Sequence, residues 1–482
     1  MGDGDSSVFR FTFNGSLRAV PRGSDLSSDA GALFLREVDA RLHLTEDLAA
    51  GLQDPRNPDL ITHPLTELVR ARIFAMALGY TDQDDLDVLR DDPVLRLVVS
   101  ERRGLSPLDE PEDAQTPNGL ASQPTQSRLV RALSSTNNLD AMNDFLFTQA
   151  EREFDALGLS GPVVLDIDSF PIQVYGTQPG SGYSGHYHTR CFHPLITMLS
   201  GTSAVLRADL RPGNVYTSVG AVEHLEQVVD RAASCLGGVK AVRGDAGFPC
   251  DEFFSLLEAR NIRYALRLAT NERLEALAAP YLRRPPGRPP KEPRIWFHEL
   301  AYQADPWSRP RRIVLVVLER KGELFLHHFF LVTNFSWMQK PGPELLEFYR
   351  ARGSMERHIG EIKSVLDPTL SSSPRRKSHY RNEEPANRTP PVDAEKANAA
   401  TFLLFVLGYN LMNLVRNLLA SSQEEYEPVP SLARVRERVL KVATRLIRSA
   451  RYAFFLVNAA CREVWEILAE RITRIEWTTQ LE

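Results

Sequence analysis

Cysteine is scarce: the 482 residues hold four, Cys191, Cys235, Cys250 and Cys461, and no two form a Cys-x-x-Cys pair. A disulfide framework or a cysteine-ligated zinc site is therefore excluded, and reduced thiols fit a cytoplasmic protein. Long apolar runs are missing too. The longest, Thr401 to Val415, is interrupted by Asn410 and Asn413. It falls short of a bilayer span and reads as a buried helix, so no membrane partner is expected. The opening MGDGDSSVFRF lacks the charged and then apolar regions of a signal peptide. Nor is there an excess of one charge, since the formal net is −5. A balance so near neutral argues at first against nucleic acid.

The distribution of that charge says otherwise. Residues 1–160 carry 15 Lys and Arg against 27 Asp and Glu, whereas the remainder carries 42 against 35. Such an asymmetry marks a polyanion-binding part within a mixed chain.

Residues 1–150 read as mostly helical, a region for DNA binding or assembly. Leu65, Val69, Ile73 and Ala77 recur near helical spacing, with Gly79 as a stop. The acidic run Asp82 to Asp92 lacks the central Gly and terminal Glu of a calcium loop, and reads as a solvated face and helix start. Residues 104–127, rich in Pro, Ser and Gln, read as a linker.

From 161 the pattern changes. VVLDID (163–168), RCFHPLITML (190–199) and SAVLRADL (203–210) read as three strands. A helix (221–236), a strand (239–245), a second helix (251–261) and a further strand (262–268) follow. The order β-β-β-α-β-α-β is that of a ribonuclease-H-like core, an α/β fold. Residues 161–270 supply its first part, 271–340 a β-rich insertion, and 341–420 its last part with a helix over 342–366. Residues 421–482 form a helical C-terminal region.

Three acids stand out by position: Asp168 ending the first strand, Asp245 just after the fourth, and Glu356 on the later helix. Carboxylates gathered at neighbouring strand ends repel unless cations neutralise them. Oxygen-only ligands suit Mg²⁺ or Mn²⁺, and two ions about 4 Å apart can activate a water or 3′-hydroxyl and stabilise the leaving oxygen. Asp166 remains a rival for the first acid. Taken alone, any one of these acids reads more readily as an ordinary solvated loop residue. Tyr349, Arg352, Glu356 and Lys363, however, lie at offsets of 0, 3, 7 and 14. On an ideal helix they fall within about 60° of one another. One face then presents a metal-binding acid flanked by two cations, which suits a phosphodiester.

That spacing, Y-x2-R-x3-E-x6-K, resembles the signature of bacterial insertion-sequence DDE transposases. ALGYTDQDDLDVLRDDP (77–93), LASQPTQSRL (120–129), VVLDIDS (163–169) and RGDAGF (243–248) are similar to the insertion sequence thirteen-eighty group. The resemblance implies a catalytic, metal-holding triad of Asp168, Asp245 and Glu356, with Tyr349, Arg352 and Lys363 near phosphates. It also implies double-stranded DNA as partner, both terminal inverted repeats and target, and a homodimer on that DNA near the nucleoid. A hairpin intermediate is a family trait only. Phe170 stands where similar proteins often carry Thr. An inactive DNA-binding remnant and a nuclease without strand transfer are the alternative readings.

A second basic feature lies downstream. Arg434, Arg438, Lys441, Arg445 and Arg448 step by 4, 3, 4 and 3, a stripe along an expected C-terminal helix. It is either a DNA-binding face or a merely solvated one. Gly287-Arg288-Pro289 resembles a minor-groove hook, or a flexible basic linker. Gly180 to Gly185 fits G-x-G-x-x-G, yet a strand-like segment follows it, so it is not a dinucleotide loop. His186-x-His188 and His327-His328 read as strand alternation rather than metal sites. Trp296, Trp307 and Trp337 read as packing residues, with base stacking as the functional alternative.

Overall fold

The computed structural model describes residues 9–11, 13–19, 25–100, 119–284, 292–323, 325–372, 393–420, 429–448 and 452–475. The Gly287-Arg288-Pro289 motif lies outside them, as does most of the linker expected over 104–127. The chain forms two compact units. Residues 142–364 and 370–406 make one, and residues 1–141, 365–369 and 407–482 the other.

An eight-stranded mixed sheet organises the first unit. Its strands are β1 (Val163–Ser169), β2 (Leu195–Leu199), β3 (Val205–Asp209), β4 (Val239–Gly244), β5 (Arg263–Leu268), β6 (Arg294–Tyr302), β7 (Arg311–Glu319) and β8 (His327–Thr333). Their spatial order is β6-β7-β8-β5-β4-β1-β2-β3. β1, β4 and β5 run parallel, β2 is antiparallel to β1, and β3 is antiparallel to β2 and so runs in the direction of β1. The sub-order β3-β2-β1-β4-β5 is consistent with the core expected from the sequence. The β-rich segment does not stand apart as a separate module. Its three strands extend the same sheet past β5, with β8 antiparallel to it.

Strand alternation sorts the residues between two helical layers. Val163, Leu165, Ile167, Val242, Leu266 and Ile313 share one core with α1 (Ala221–Cys235) and α2 (Asp251–Ala259). Val164, Ala241, Ala265, Val314 and Val316 pack on the opposite face against Leu345 and Leu346 of α3 (Gly342–Arg350). By parity, Asp166 and Asp168 of β1 belong to the α3 face, together with Arg243 of β4. Burying the apolar residues therefore turns these charged ones toward α3.

The single helix expected over 342–366 is broken. α3 ends at Arg350, α4 spans Gly353–Glu361, and Ile362–Leu366 forms a π-turn. At the break, Arg352 N–H bonds Tyr349 O and Met355 N–H bonds Arg352 O, both three residues back. This tighter turn advances about 120° per residue rather than 100°. The straight-helix arc for Tyr349, Arg352, Glu356 and Lys363 therefore does not hold. The strand expected over 190–199 also divides. Thr189–Phe192 joins a small sheet with Ile172–Gln173 and Gly182–Ser184, and β2 begins after His193-Pro194.

The long helix Ala394–Ala420 is 27 residues, enough to cross a bilayer by length, contrary to the sequence reading. Burial argues the other way, because 94% of its most apolar window is inside the protein.

In the second unit, Leu65–Leu78 ends at Gly79, whose φ of 95° needs a residue without Cβ. Asp92 caps the helix Pro93–Val99 by accepting from Val94 and Leu95 N–H. The basic stripe is corrected here. Only Leu432–Val435 and the π-turn Arg436–Leu440 are helical; Thr444–Arg448 and Ala453–Val457 form a β-hairpin. Val442 and Leu446, four residues apart, satisfy strand alternation as readily as helical spacing, so that apolar pattern alone was ambiguous. Arg434 and Arg438 are exposed on the helical part. Lys441 pairs with Asp29 at 3.0 Å over the Tyr80 ring, and Arg445 pairs with Asp25 at 2.9 Å. Arg448 lies in the hairpin. These five cations do not form one stripe. Arg436, outside that set of five, donates to Ala77 O at the end of helix Leu65–Leu78.

Candidate active site

β1 and β4 pair in parallel with Arg243 opposite Asp166 and Gly244 opposite Ile167. The next residues are Asp168 and Asp245, so two acids leave adjacent strand ends on the same face. The turn after β4 is tight: Asp245 accepts from Gly247 N–H at 2.8 Å, and a Cβ on Gly247 would lie 2.6 Å from Thr217 Cβ. Thr217 in turn meets the Ser169 hydroxyl at 3.3 Å.

α3 delivers the third part. Its end carries Arg352, 4% exposed, onto the acids. Nη2 lies 2.6 Å from Asp168 Oδ2, and Nη1 lies 3.2 Å from Glu356 Oε1. Thus the guanidinium bridges two of the three acids named from the sequence. Arg352 Nε is buried without a hydrogen-bond partner among the described residues. Glu356 is mostly exposed, whereas Asp168 is buried.

The electrostatics follow from this crowding. Burial pushes the Asp168 carboxyl up to about 6; Arg352 opposes that, and Asp245 and Glu356 reinforce it. For Arg352, burial pulls the guanidinium down, but Asp168, Tyr349, Asp245 and Glu356 together raise it. Burial also raises the Tyr349 phenol, against the nearby Arg352 and Arg267. Tyr349 is half-buried against the α3-side core, and Lys363 is exposed on the π-turn.

Asp166 has a different setting. Arg243 grips it with two prongs at 2.7 and 2.8 Å, and also donates to Ser200 Oγ and Phe348 O. That carboxylate is spoken for by an internal pair. A charged residue inside a buried strand requires such a partner, so Arg243 in VKAVRG was a readable signal that sequence reasoning missed.

Sequence reasoning also missed the side wall formed by the small sheet. His193 follows that sheet beside Phe170, whose N–H meets Pro194 O. Tyr187 stacks edge-on with His186 at 4.7 Å and with His193 at 5.9 Å. Burial raises the Tyr187 phenol, with Asp168 and Asp245 adding to the effect. No local motif announces this wall; it depends on the return of the chain at 182–192.

The remaining sequence candidates fall elsewhere. Gly182–Ser184 is a strand, which excludes a helix-opening phosphate loop. His328 meets Glu275 at 3.1 Å and His327 pairs with Glu323. Trp307 is buried against Phe254 and Tyr302, Trp296 is partly buried, and Trp337 is exposed. Among the described residues, no group of three or more His, Cys, Asp or Glu is drawn together closely enough to hold a metal ion. The acids do have the right donor chemistry for a hard divalent cation, oxygen alone. In this arrangement Arg352 supplies the compensating charge.

A mixed sheet carrying two acids at the ends of adjacent parallel strands, with a third reached through an arginine, is consistent with a DDE transposase core. The chain belongs to the family described as Transposase DDE domain group 1, which matches residues 9–478. Membership implies DNA transposition. No curated protein matches the chain. It is similar to the cryo-EM structure of the piggyBac transposase synaptic complex with hairpin DNA, at 12% identity and a TM-score of 0.36. That match covers 95% of this chain and 87% of the other.

Proposed function

We propose that the protein is a metal-dependent insertion-sequence transposase of the thirteen-eighty type. It cuts double-stranded DNA at its element's terminal repeats and joins the released 3′-hydroxyl to target DNA. The observation that carries this reading is the placement of Asp168 and Asp245 at neighbouring parallel strand ends, with Glu356 tied to Asp168 through Arg352. Asp168, Asp245 and Glu356 would hold Mg²⁺ or Mn²⁺, two ions per site. Bound there, such ions would supply Lewis acidity at the scissile phosphate and would lower the pKa of the attacking water or hydroxyl.

The chain's own residues orient the DNA. Lys363 and Arg352 offer cations to the phosphates beside the cut, and the Tyr349 phenol stands next to them. Arg434 and Arg438, exposed on a separate element, add sequence-independent attraction to the backbone. Two ends brought together require a homodimer on DNA, acting in the cytoplasm at the nucleoid.

The test is cleavage of end-bearing DNA in Mg²⁺, followed by a search for joined products. Asp245→Ala and Glu356→Ala should each abolish cleavage while DNA binding persists. Unchanged cleavage in either variant overturns the site. Binding without wild-type cleavage would identify an inactive remnant, and cleavage without joining a nuclease.

A further inference from the structure

Arg352 is a charge buried to 4% exposure among acids that a metal-dependent reaction needs bare. Its two terminal nitrogens are committed, one to Asp168 at 2.6 Å and one to Glu356 at 3.2 Å. Its third nitrogen, Nε, has no hydrogen-bond partner among the described residues. A buried guanidinium donor left without an acceptor carries a desolvation cost. Other buried arginines, Arg72 among them, also leave one nitrogen unpartnered, so what sets Arg352 apart is its place between two acids of the cluster. Arg243, buried on the same face, shows the contrast with four hydrogen bonds to Asp166, Ser200 and Phe348.

The backbone that carries Arg352 is also built to change. The turn at 349–355 uses bonds to the third residue back, between the ends of two helices. Gly353 follows immediately, and nothing lies within 4 Å of where its Cβ would stand. That residue has both the conformational freedom and the space for the turn to re-form.

We propose that Arg352 is a built-in counter-cation for the acid cluster. In the DNA-free protein its guanidinium occupies the position between Asp168 and Glu356 that a divalent cation needs. Metal loading and the arginine bridge are then mutually exclusive, and by linkage each weakens the other. The consequence is a guard: the hydrolytic centre stays closed until a phosphate draws the guanidinium outward. This inference rests on the metal-dependent reading above.

The experiment titrates Mn²⁺ alone into the DNA-free, full-length protein and follows binding by calorimetry and by the electron spin resonance of the free ion. Wild type is compared with Arg352→Gln, Arg352→Lys and the double variant Asp168→Asn/Asp245→Asn. Arg352→Gln should bind Mn²⁺ about tenfold or more tightly than wild type, a common size for coupled sites. Arg352→Lys, with its charge kept but its two-pronged reach lost, should fall between them and guards against a folding defect in the Gln variant. The double variant should lose the binding. Equal or weaker binding in both Arg352 variants, with wild-type binding that the double variant abolishes, overturns the inference and leaves the metal reading standing. Binding indifferent to Asp168 and Asp245 in every protein overturns both.

Discussion

Arg352 Nη2 sits 2.6 Å from Asp168 Oδ2, and the pair joins a helix break to the end of β1. Strand parity sends Asp168 to the α3 face, α3 packs there through Leu345 and Leu346, and its end delivers the arginine. The bridge is therefore a product of the core's packing as much as of charge attraction.

A pH dependence follows from Asp168. Its carboxyl is raised from 3.8 to about 6, by burial first. Below pH 3.8 both folded and unfolded chains are protonated and the full stability is present. As pH rises, the unfolded chain ionises first, and stability is lost until the folded group has also ionised near pH 6. The loss is about 2–3 kcal/mol at most, from about 1.4 kcal/mol per unit. Urea unfolding between pH 3.5 and 7.5 should show wild type losing this much more than Asp168→Asn. Parallel pH curves for the two proteins would contradict the assignment.

Asp166 and Asp168 should separate cleanly by stability and activity. Asp166→Ala strands Arg243 in the core, at a cost of about 3–5 kcal/mol. Replacing both partners, Asp166→Leu with Arg243→Met, should restore most of that loss, since an apolar pair of similar volume needs no counter-charge. Cleavage should survive in the double variant. Asp168→Asn should instead fold and fail to cleave. Thermal melting and end cleavage on the same preparations decide it, and an inactive, well-folded Asp166/Arg243 double variant would argue that Asp166 is the first acid.

The strand order around β1 was legible in the sequence because each core strand is short, apolar and followed by a turn or a helix. The acids were legible for the same reason, since they end those strands. The helix break at Ala351-Arg352 was not, because a lone Gly353 is compatible with a continuous helix and only the packing of α3 reveals the tighter turn. The C-terminal basic segment misled by its periodicity: Leu446 is buried in a strand whose registry opposes it to Phe455, a pairing no local pattern contains. Tyr187 and His193 were invisible because a loop's return brings them to the acids.

Lys441 illustrates how that correction changes an expected outcome. Its ammonium pairs with Asp29, whose side chain is 1% exposed. Lys441→Ala should destabilise the protein by about 3 kcal/mol, the cost of a buried carboxylate losing its cation, even though Ser28 and Tyr80 still donate to it. Arg438→Ala, on an exposed surface, should alter stability by no more than about 0.5 kcal/mol. Denaturant melts of the two variants separate an internal brace from a solvent-facing cation. Equal melting midpoints would contradict the role of Lys441 as an internal brace.

Lys363 offers the reverse test, a cation with no expected structural task. It is exposed on the π-turn seven residues beyond Glu356, on the helical segment that also carries Arg352. If it meets a DNA phosphate, Lys363→Ala should weaken binding to end-bearing and unrelated duplexes alike. It should also reduce the slope of log affinity against log salt by about one, while the melting temperature stays put. A base-reading residue would instead lower the preference for the terminal repeat and leave that slope nearly intact. Fluorescence anisotropy of both duplexes between about 50 and 200 mM salt resolves the two behaviours. An unchanged slope on both removes Lys363 from the phosphate path.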